Sequence, residues 1–481
     1  MPAVRTRRSE RPTKYEQLAA EILRLIEAGT YRTSDRLPSV RQLSRQRRVS
    51  VTTVLQAYLL LENQGWIEAR PQSGYYVRAR LAGRFPEPEI SSPGPDPTQV
   101  SVREVVMMVL RDTLNPRLVQ LGTAVPNPDL LPTEKLNRIL ASLARRLGGQ
   151  ANLYDFPPGC EALRVQIARR LVAAGCNLTP ADLVTTSGCV EAIELALRAT
   201  CNAGDVVAVE SPSYFGILQS LESLGLRALE IPTHPRDGIS LDALRFALEN
   251  TPVRACLITS NFNNPLGSRL PDESKRELVD LLTAREVPLI ENDISGEIYF
   301  AGERPTVAKA HDRKGLVLLC SSFSKDLAPG YRVGWVAPGR FKSTVEWLKF
   351  TTNIGTATLP QLAIAEFLAG GGYDHHLRRI RREYARNVAL MSQAVMRHFP
   401  EGTRVTRPQG GFVLWVQLPG AVDSLLLYKR ALAAGITLTP GYVFSASQRY
   451  RDFIRLNAAV WTPREHGGIE TLGALIAVMA A

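Results

Sequence analysis

The sequence predicts an α/β protein with a winged helix-turn-helix at its N-terminus. Two observations carry this. Short apolar runs, VVAV from Val206, ACLI from Ala255, VPLI from Val287 and LVLL from Leu316, alternate with helical patterns, which argues a parallel sheet with helices on both faces. Ahead of them, three helical patterns and two short strand patterns occupy residues 13–78. At 481 residues the chain is too long for one ordinary core, so several units are expected.

The first helix follows from apolar positions at Tyr15, Leu18, Ala19, Ile22, Leu25 and Ile26, and Gly29 stops it. After the turn at residues 33–38, Ser39 with Gln42 three positions on forms a capping-box pattern that opens a short helix through about Arg45. Ser50 can cap a third helix from Val51 to Glu62, ending near Gly65. WIEAR from Trp66, a turn PQSG from Pro71 and YYVR from Tyr75 then read as a hairpin, the wing. Residues 79–103 are a Pro-rich polar stretch and are expected to be an extended linker. The remainder, 104–481, reads as the α/β body, with a smaller α+β lobe mainly over 367–481.

Composition sets bounds on function. The formal net charge is +12, and residues 1–84 hold 16 Lys/Arg against 7 Asp/Glu, so most of the excess sits on the N-terminal unit and points to a polyanionic partner. No apolar run approaches the ~20 residues that span a bilayer, and the basic octapeptide MPAVRTRR has no apolar segment after it. A cytoplasmic protein without membrane contact is expected. The six cysteines form no C-x-x-C pair and no metal-spaced cluster with histidine, so reduced thiols and no metal are expected.

In a helix-turn-helix the second helix of the motif enters the major groove with its first residues near the bases, while the preceding residues hold phosphates. Ser50, Thr52 and Thr53 occupy that helix start, and Arg36, Ser39, Arg41 and Arg45 lie on the turn and helix before it, with Gly74 at the wing tip. Double-stranded operator DNA is the expected partner. The run RLPSVRQL from Arg36 and the helix after it resemble the GntR-type winged helix.

The most informative segment is SFSKDLAPGYRVGW, residues 322–335. It sets Lys325 among small and hydroxyl residues, with Arg332 seven positions on, which suits a Schiff base to an aldehyde cofactor beside a phosphate clamp. That is the pattern of a pyridoxal 5'-phosphate site. Residues from about 110 to 460 resemble a fold-type I aminotransferase, and the whole chain resembles the MocR subfamily of GntR-type regulators. By that resemblance Ser322 and Arg332 hold the cofactor phosphate together with backbone amides at Gly188, Cys189 and Val190 in TSGCV. Tyr214 stacks on the pyridine, Asn264 bonds its phenolic oxygen, Arg455 grips a ligand carboxylate, and Tyr154 reaches the phosphate of a neighbouring subunit in a head-to-tail homodimer.

One departure from the family stands out. Relatives with catalytic activity read E-D-D-x-Y where this chain reads ENDIS from Glu291, so the acid that pairs with the pyridine nitrogen falls on Asn292 and the usual tyrosine on Ser295. Asp293 is the alternative, but successive residues of a strand face opposite sides, so Asn292 and Asp293 cannot both meet the ring without a bulge. A neutral amide holds the ring-nitrogen charge less well than a carboxylate does. The expected function is a DNA-binding regulator that senses the cofactor or an amine or amino acid through aldimine formation, with transamination weak or absent. A working aminotransferase and a cofactor-free dimerisation scaffold are the alternatives.

Overall fold

The computed structural model describes residues 13–32, 35–63, 66–70, 73–77, 86–113, 115–420 and 422–480. The octapeptide, Gly65, the first half of the PQSG turn and residues 79–85 of the expected linker lie outside these. The chain divides into two compact units, 1–81 and 82–481.

In the first unit, helices α1 (Lys14–Glu27), α2 (Val40–Arg47) and α3 (Val51–Asn63) are followed by an antiparallel pair, β1 (Ile67–Arg70) and β2 (Gly74–Val77), with Ile67 opposite Val77. Thr13 and Glu16 make a reciprocal capping box on α1. At α2 only half of the expected box forms, Ser39 Oγ accepting from the Gln42 amide. Leu18, Ile22, Leu43, Val54, Tyr58, Leu61 and Val77 build one small core. The Tyr58 hydroxyl within it donates to the Pro38 carbonyl at 2.7 Å, which pins the turn before α2 to α3.

In the second unit the four apolar runs become adjacent parallel strands, Val206–Ser211, Val253–Ile258, Leu289–Asn292 and Val317–Ser322. Arg227–His234 extends this parallel set beyond Val206–Ser211. The sheet is mixed rather than wholly parallel, because Gly334–Ala337 and Val184–Thr186 close one side in antiparallel register. Helices such as Cys189–Thr200 and Asp272–Ala284 cover its faces with apolar cores.

One expectation changes here, and the small lobe, expected mainly over 367–481, gains an upstream strand. The Pro-rich stretch is no free linker over 86–102: Ser91 Oγ donates to the Ser211 carbonyl at 2.5 Å, Thr98–Gln99 pair antiparallel with Arg227–Ala228 on the sheet edge, and Val100 and Val102 are buried. Proline removes donors, but an edge position needs few of them. The smaller lobe also reaches beyond 367–481. Its antiparallel sheet comprises Arg404–Val405, Val413–Gln417, Phe453–Asn457 and Thr439–Pro440, and Val119–Gln120 from far upstream pairs parallel with Ile436–Thr437 beside it.

Candidate functional site

The carboxyl ends of the parallel strands converge on a cavity of about 270 Å³ lined by Lys325, Asn292, Tyr214, Asn264, Arg332 and Ser322 among others. Open α/β sheets bind ligands at such an edge. Lys325 follows Val317–Ser322 by three residues and donates from Nζ to the Ala124 carbonyl at 2.7 Å. Burial, then the positive charges of Arg455 and Arg332, lower its amine from the usual lysine range to about 8.

Helix Cys189–Thr200 opens toward the same cavity with Gly188 as its N-cap at φ 90°, two residues earlier than the run EAIEL suggests. Only glycine fits there, since a Cβ would collide with the Arg332 guanidinium. Arg332 itself sits in the left-handed region at φ 51°, and its guanidinium donates to Ser324 Oγ at 3.3 Å and to the Ser187 carbonyl at 3.2 Å. One arginine therefore braces both walls of an anion cup formed by a helix N-terminus. Cys189 and Val190 line the cavity, and the buried Ser322 Oγ accepts from the Ser324 amide.

At the strand end, Asn292 and Asp293 part company. Asn292 lines the cavity, where its Oδ1 accepts from Cys189 Sγ at 3.3 Å and from the Ile294 amide at 3.2 Å, while Nδ2 donates to Thr259 Oγ1 at 3.2 Å. Asp293 turns away. Its carboxylate takes Arg304 Nη2 at 2.5 Å and Asn261 Nδ2 at 2.9 Å in a buried ion pair, so Asp293, expected among the cofactor contacts, does not line the cavity. The strand's alternation separates the two without a bulge. Ser295 also lines the cavity.

Arg455 comes from the small-lobe strand Phe453–Asn457 and is fully buried. It donates to Asn264 Oδ1 at 3.1 Å, the Gly122 carbonyl at 2.7 Å and Thr439 Oγ1 at 3.1 Å, while its Nε has no partner. No carboxylate pairs with it among the described residues, and burial lowers it to about 10. A buried guanidinium with neutral partners and an orphan N–H is poised for an anion. Tyr154 is not in this cavity. It is 73% exposed, in ring contact with Phe156.

Thr259, Ser324, Phe262 and the carbonyls of Gly122 and Ala124 belong to the site yet escape sequence reading. Ser324 sits inside the segment that flagged Lys325, and that position is the signal that could have found it. Nothing local marks the others.

In the first unit Arg36, Arg41 and Arg45 are exposed and form no ion pair among the described residues. Thr52 is exposed at the start of α3. Ser39 and Ser50 spend their oxygens on helix caps, Ser50 Oγ accepting from the Thr53 amide at 3.0 Å and lying 2.8 Å from Thr53 Oγ1. Gly74 lets the wing pass the Arg36 guanidinium, which a Cβ would approach to 3.3 Å. By contrast Arg47 pairs with Glu21 at 2.7 Å, and Arg70 pairs with Glu68 and covers the Tyr76 ring.

Comparison with known proteins fits this division. Residues 121–466 match the aminotransferase class I and II family, and residues 14–77 match the gntR family of bacterial regulatory proteins. The chain belongs to the aminotransferase class I and II family. With the GntR domain ahead of it, this aminotransferase-family chain has a MocR-like architecture. It is 40% identical to the HTH-type transcriptional regulator YdcR of Escherichia coli, over 96% of this chain and 99% of that one. The 2-aminoadipate transaminase of Thermus thermophilus is 30% identical over 73% of this chain and 88% of its own length. Among solved structures, the multiple substrate aminotransferase of Thermococcus profundus superposes with a TM-score of 0.72 at 27% identity, covering 78% of this chain and 94% of that one. Among the described residues no helix is long and apolar enough to cross a membrane.

Proposed function

We propose that this chain is a cytoplasmic transcription regulator whose aminotransferase-like domain binds pyridoxal 5'-phosphate and responds to an amine or amino acid, with transamination weak or absent. The observation that carries the reading is that Asn292 faces the cavity of Lys325 while Asp293 is locked to Arg304. Lys325, the anion cup and Arg455 are in place, and the strand end presents an amide instead of an acid.

The residues fit the cofactor. Lys325 offers an amine lowered to about 8, the Gly188 turn and Arg332 make an anion cup, and the orphan Nε of Arg455 awaits a carboxylate. When bound, the cofactor supplies an aldehyde and an electron-withdrawing ring. Lys325 is then the point of attachment; Ser322, Arg332 and the amides of Gly188, Cys189 and Val190 hold phosphate; Tyr214 and Asn264 border the ring; Arg455 takes the ligand carboxylate. Asn292 offers a neutral amide held by Thr259 and Cys189, and it cannot keep a proton on the ring nitrogen as a carboxylate does.

The same contacts suggest how occupancy is reported. The Ala124 carbonyl receives Lys325 and the Gly122 carbonyl receives Arg455, and Thr123 between them bonds Thr113 at the end of the helix Arg103–Thr113. Attachment at Lys325 gives up the Ala124 carbonyl, whereas a carboxylate at the orphan Nε of Arg455 leaves the Gly122 carbonyl in place. Ligand shifts DNA affinity only if one conformer binds it better.

Leu153, Tyr154, Phe156, Trp347 and Phe350 form an exposed apolar surface, and burial against a second copy in a head-to-tail homodimer accounts for it. Operator DNA is held by Arg36, Arg41, Arg45 and Thr52.

The test is the visible absorbance of the protein with pyridoxal phosphate, before and after a panel of amino acids. A band that shifts with one amino acid without release of keto acid supports the reading. Full conversion to the pyridoxamine form restores the aminotransferase, and no band leaves a scaffold. Lys325→Ala abolishes the borohydride-fixed adduct; an adduct that persists refutes the lysine assignment.

A further inference from the structure

Two of the chain's six histidines meet on two helices, outside the lining of the Lys325 cavity. His398 is the last residue of the long helix Gly372–His398, and His466 and Glu470 stand one turn apart on the C-terminal helix Pro463–Ala480. We infer that His398, His466 and Glu470 form a binding site for a divalent transition metal of the zinc class.

Geometry supports the assignment. Glu470 Oε1 lies 3.5 Å from His398 Nε2 and 3.5 Å from His466 Nδ1, and the ligand atoms of all three residues fall within 4.8 Å of one another. Donors held ~2.0–2.1 Å from a tetrahedral ion stand ~3.3–3.4 Å apart, so two edges of the triangle already have the right length. The same 3.5 Å is long for a hydrogen bond. A second observation concerns the burial of one ligand atom. His398 Nε2 is a buried atom with no hydrogen-bond partner among the described residues, although its side chain as a whole is a quarter exposed. An orphan imidazole nitrogen that faces a carboxylate at this distance is better explained by a shared cation than by a direct bond.

The surroundings hold the ligands in place. A Cβ at Gly473 would collide with the His398 carbonyl, so a glycine there lets the two helices approach closely. The Trp461 ring packs edge-on to His466 with centroids 5.7 Å apart, and the two histidine rings stand perpendicular at 5.5 Å. Two nitrogens and one carboxylate oxygen suit zinc, cobalt or nickel better than magnesium or calcium, which take mainly oxygen donors. Three protein ligands leave a fourth position for water, and the half-exposed Glu470 keeps that side open to solvent. A bound ion would tie the end of one helix to the start of the other.

The experiment uses the untagged full-length chain, stripped with chelator and titrated with Co(II), then with Zn(II) in competition. The expected result is one equivalent of Co(II) with visible d–d absorption, displaced by Zn(II), and affinity at least tenfold lower in both His466→Ala and Glu470→Gln. Glu470→Gln keeps shape and packing, so it separates ligation from folding, and an unchanged circular dichroism spectrum checks both variants. Undiminished binding in these variants, a near-ultraviolet thiolate-to-cobalt band pointing to the cysteines, or no binding at all overturns the assignment.

Discussion

If Lys325 is held in its amine form by its surroundings, the rate at which the apoprotein captures pyridoxal phosphate should record that directly. At about 8, roughly one Lys325 in ten is neutral at pH 7, whereas a lysine at its ordinary 10.5 would be neutral about once in 3,000, a difference of about 300-fold in attacking species. The assay is stopped-flow absorbance at fixed cofactor concentration from pH 6 to 10.5. The rate should climb about tenfold per pH unit up to roughly 8 and then level off. Burial is the largest cause of the shift and Arg455 the next. Arg455→Met should therefore move the plateau upward while leaving it below the ordinary lysine value. A wild-type rate that rises without a break through pH 8 to 10 would falsify the argument, because the amine would then be titrating as if in water.

Asn292→Asp should raise transamination by about 10²-fold or more, the scale of one preorganised electrostatic partner, and keto acid formation measures it. The three groups around that side chain, Cys189 Sγ, the Ile294 amide and the Thr259 hydroxyl, can all donate to a carboxylate. Arg41→Ala should weaken operator binding by about 1–3 kcal/mol if it reads a base, or lower the salt slope by about one if it grips phosphate, whereas Arg47→Ala should do neither, since Arg47 is paired with Glu21; fluorescence anisotropy across a salt series decides. Glu210 is buried, and desolvation pushes its carboxyl up to about 8 against hydrogen bonds from the Thr259 amide and Asn263. The folded state thus keeps a proton that the unfolded state releases near 4.5, and stability falls by up to ~1.4 kcal/mol per pH unit between about 4.5 and 8. Glu210→Gln should flatten that part of the slope in denaturant titrations, and an unchanged slope would show that Glu210 is ionised when folded.

The elements most visible in the sequence are those whose pattern is local. Leu289 and Ile290 belong to an apolar run, and their strand forms where the run predicts it, because a strand buried on both faces needs little beyond apolar side chains. Gly334–Ala337 and Val184–Thr186 are short and carry motif residues, so their antiparallel pairing was hidden. Thr98–Gln99 was masked by prolines, which read as linker until an edge with few donor requirements accepts them. In the site, the period of two told that Asn292 and Asp293 oppose each other, but which one faces inward depends on Arg304, a buried partner eleven residues on that no local rule supplies. The pairing of Arg455 with Gly122 depends on tertiary packing across more than three hundred residues.

The cysteines offer a last consequence. All six are buried, burial pushes the thiols of Cys176 and Cys189 up to about 12, and none lies in the first unit. At neutral pH such thiols are almost entirely protonated and inert toward alkylating reagents until the fold opens around them. Their labelling rates are therefore internal clocks for local opening of the aminotransferase domain alone. Because the winged helix has no thiol, one cysteine introduced on its exposed surface would react rapidly and separately, giving each unit its own reporter in a single chain.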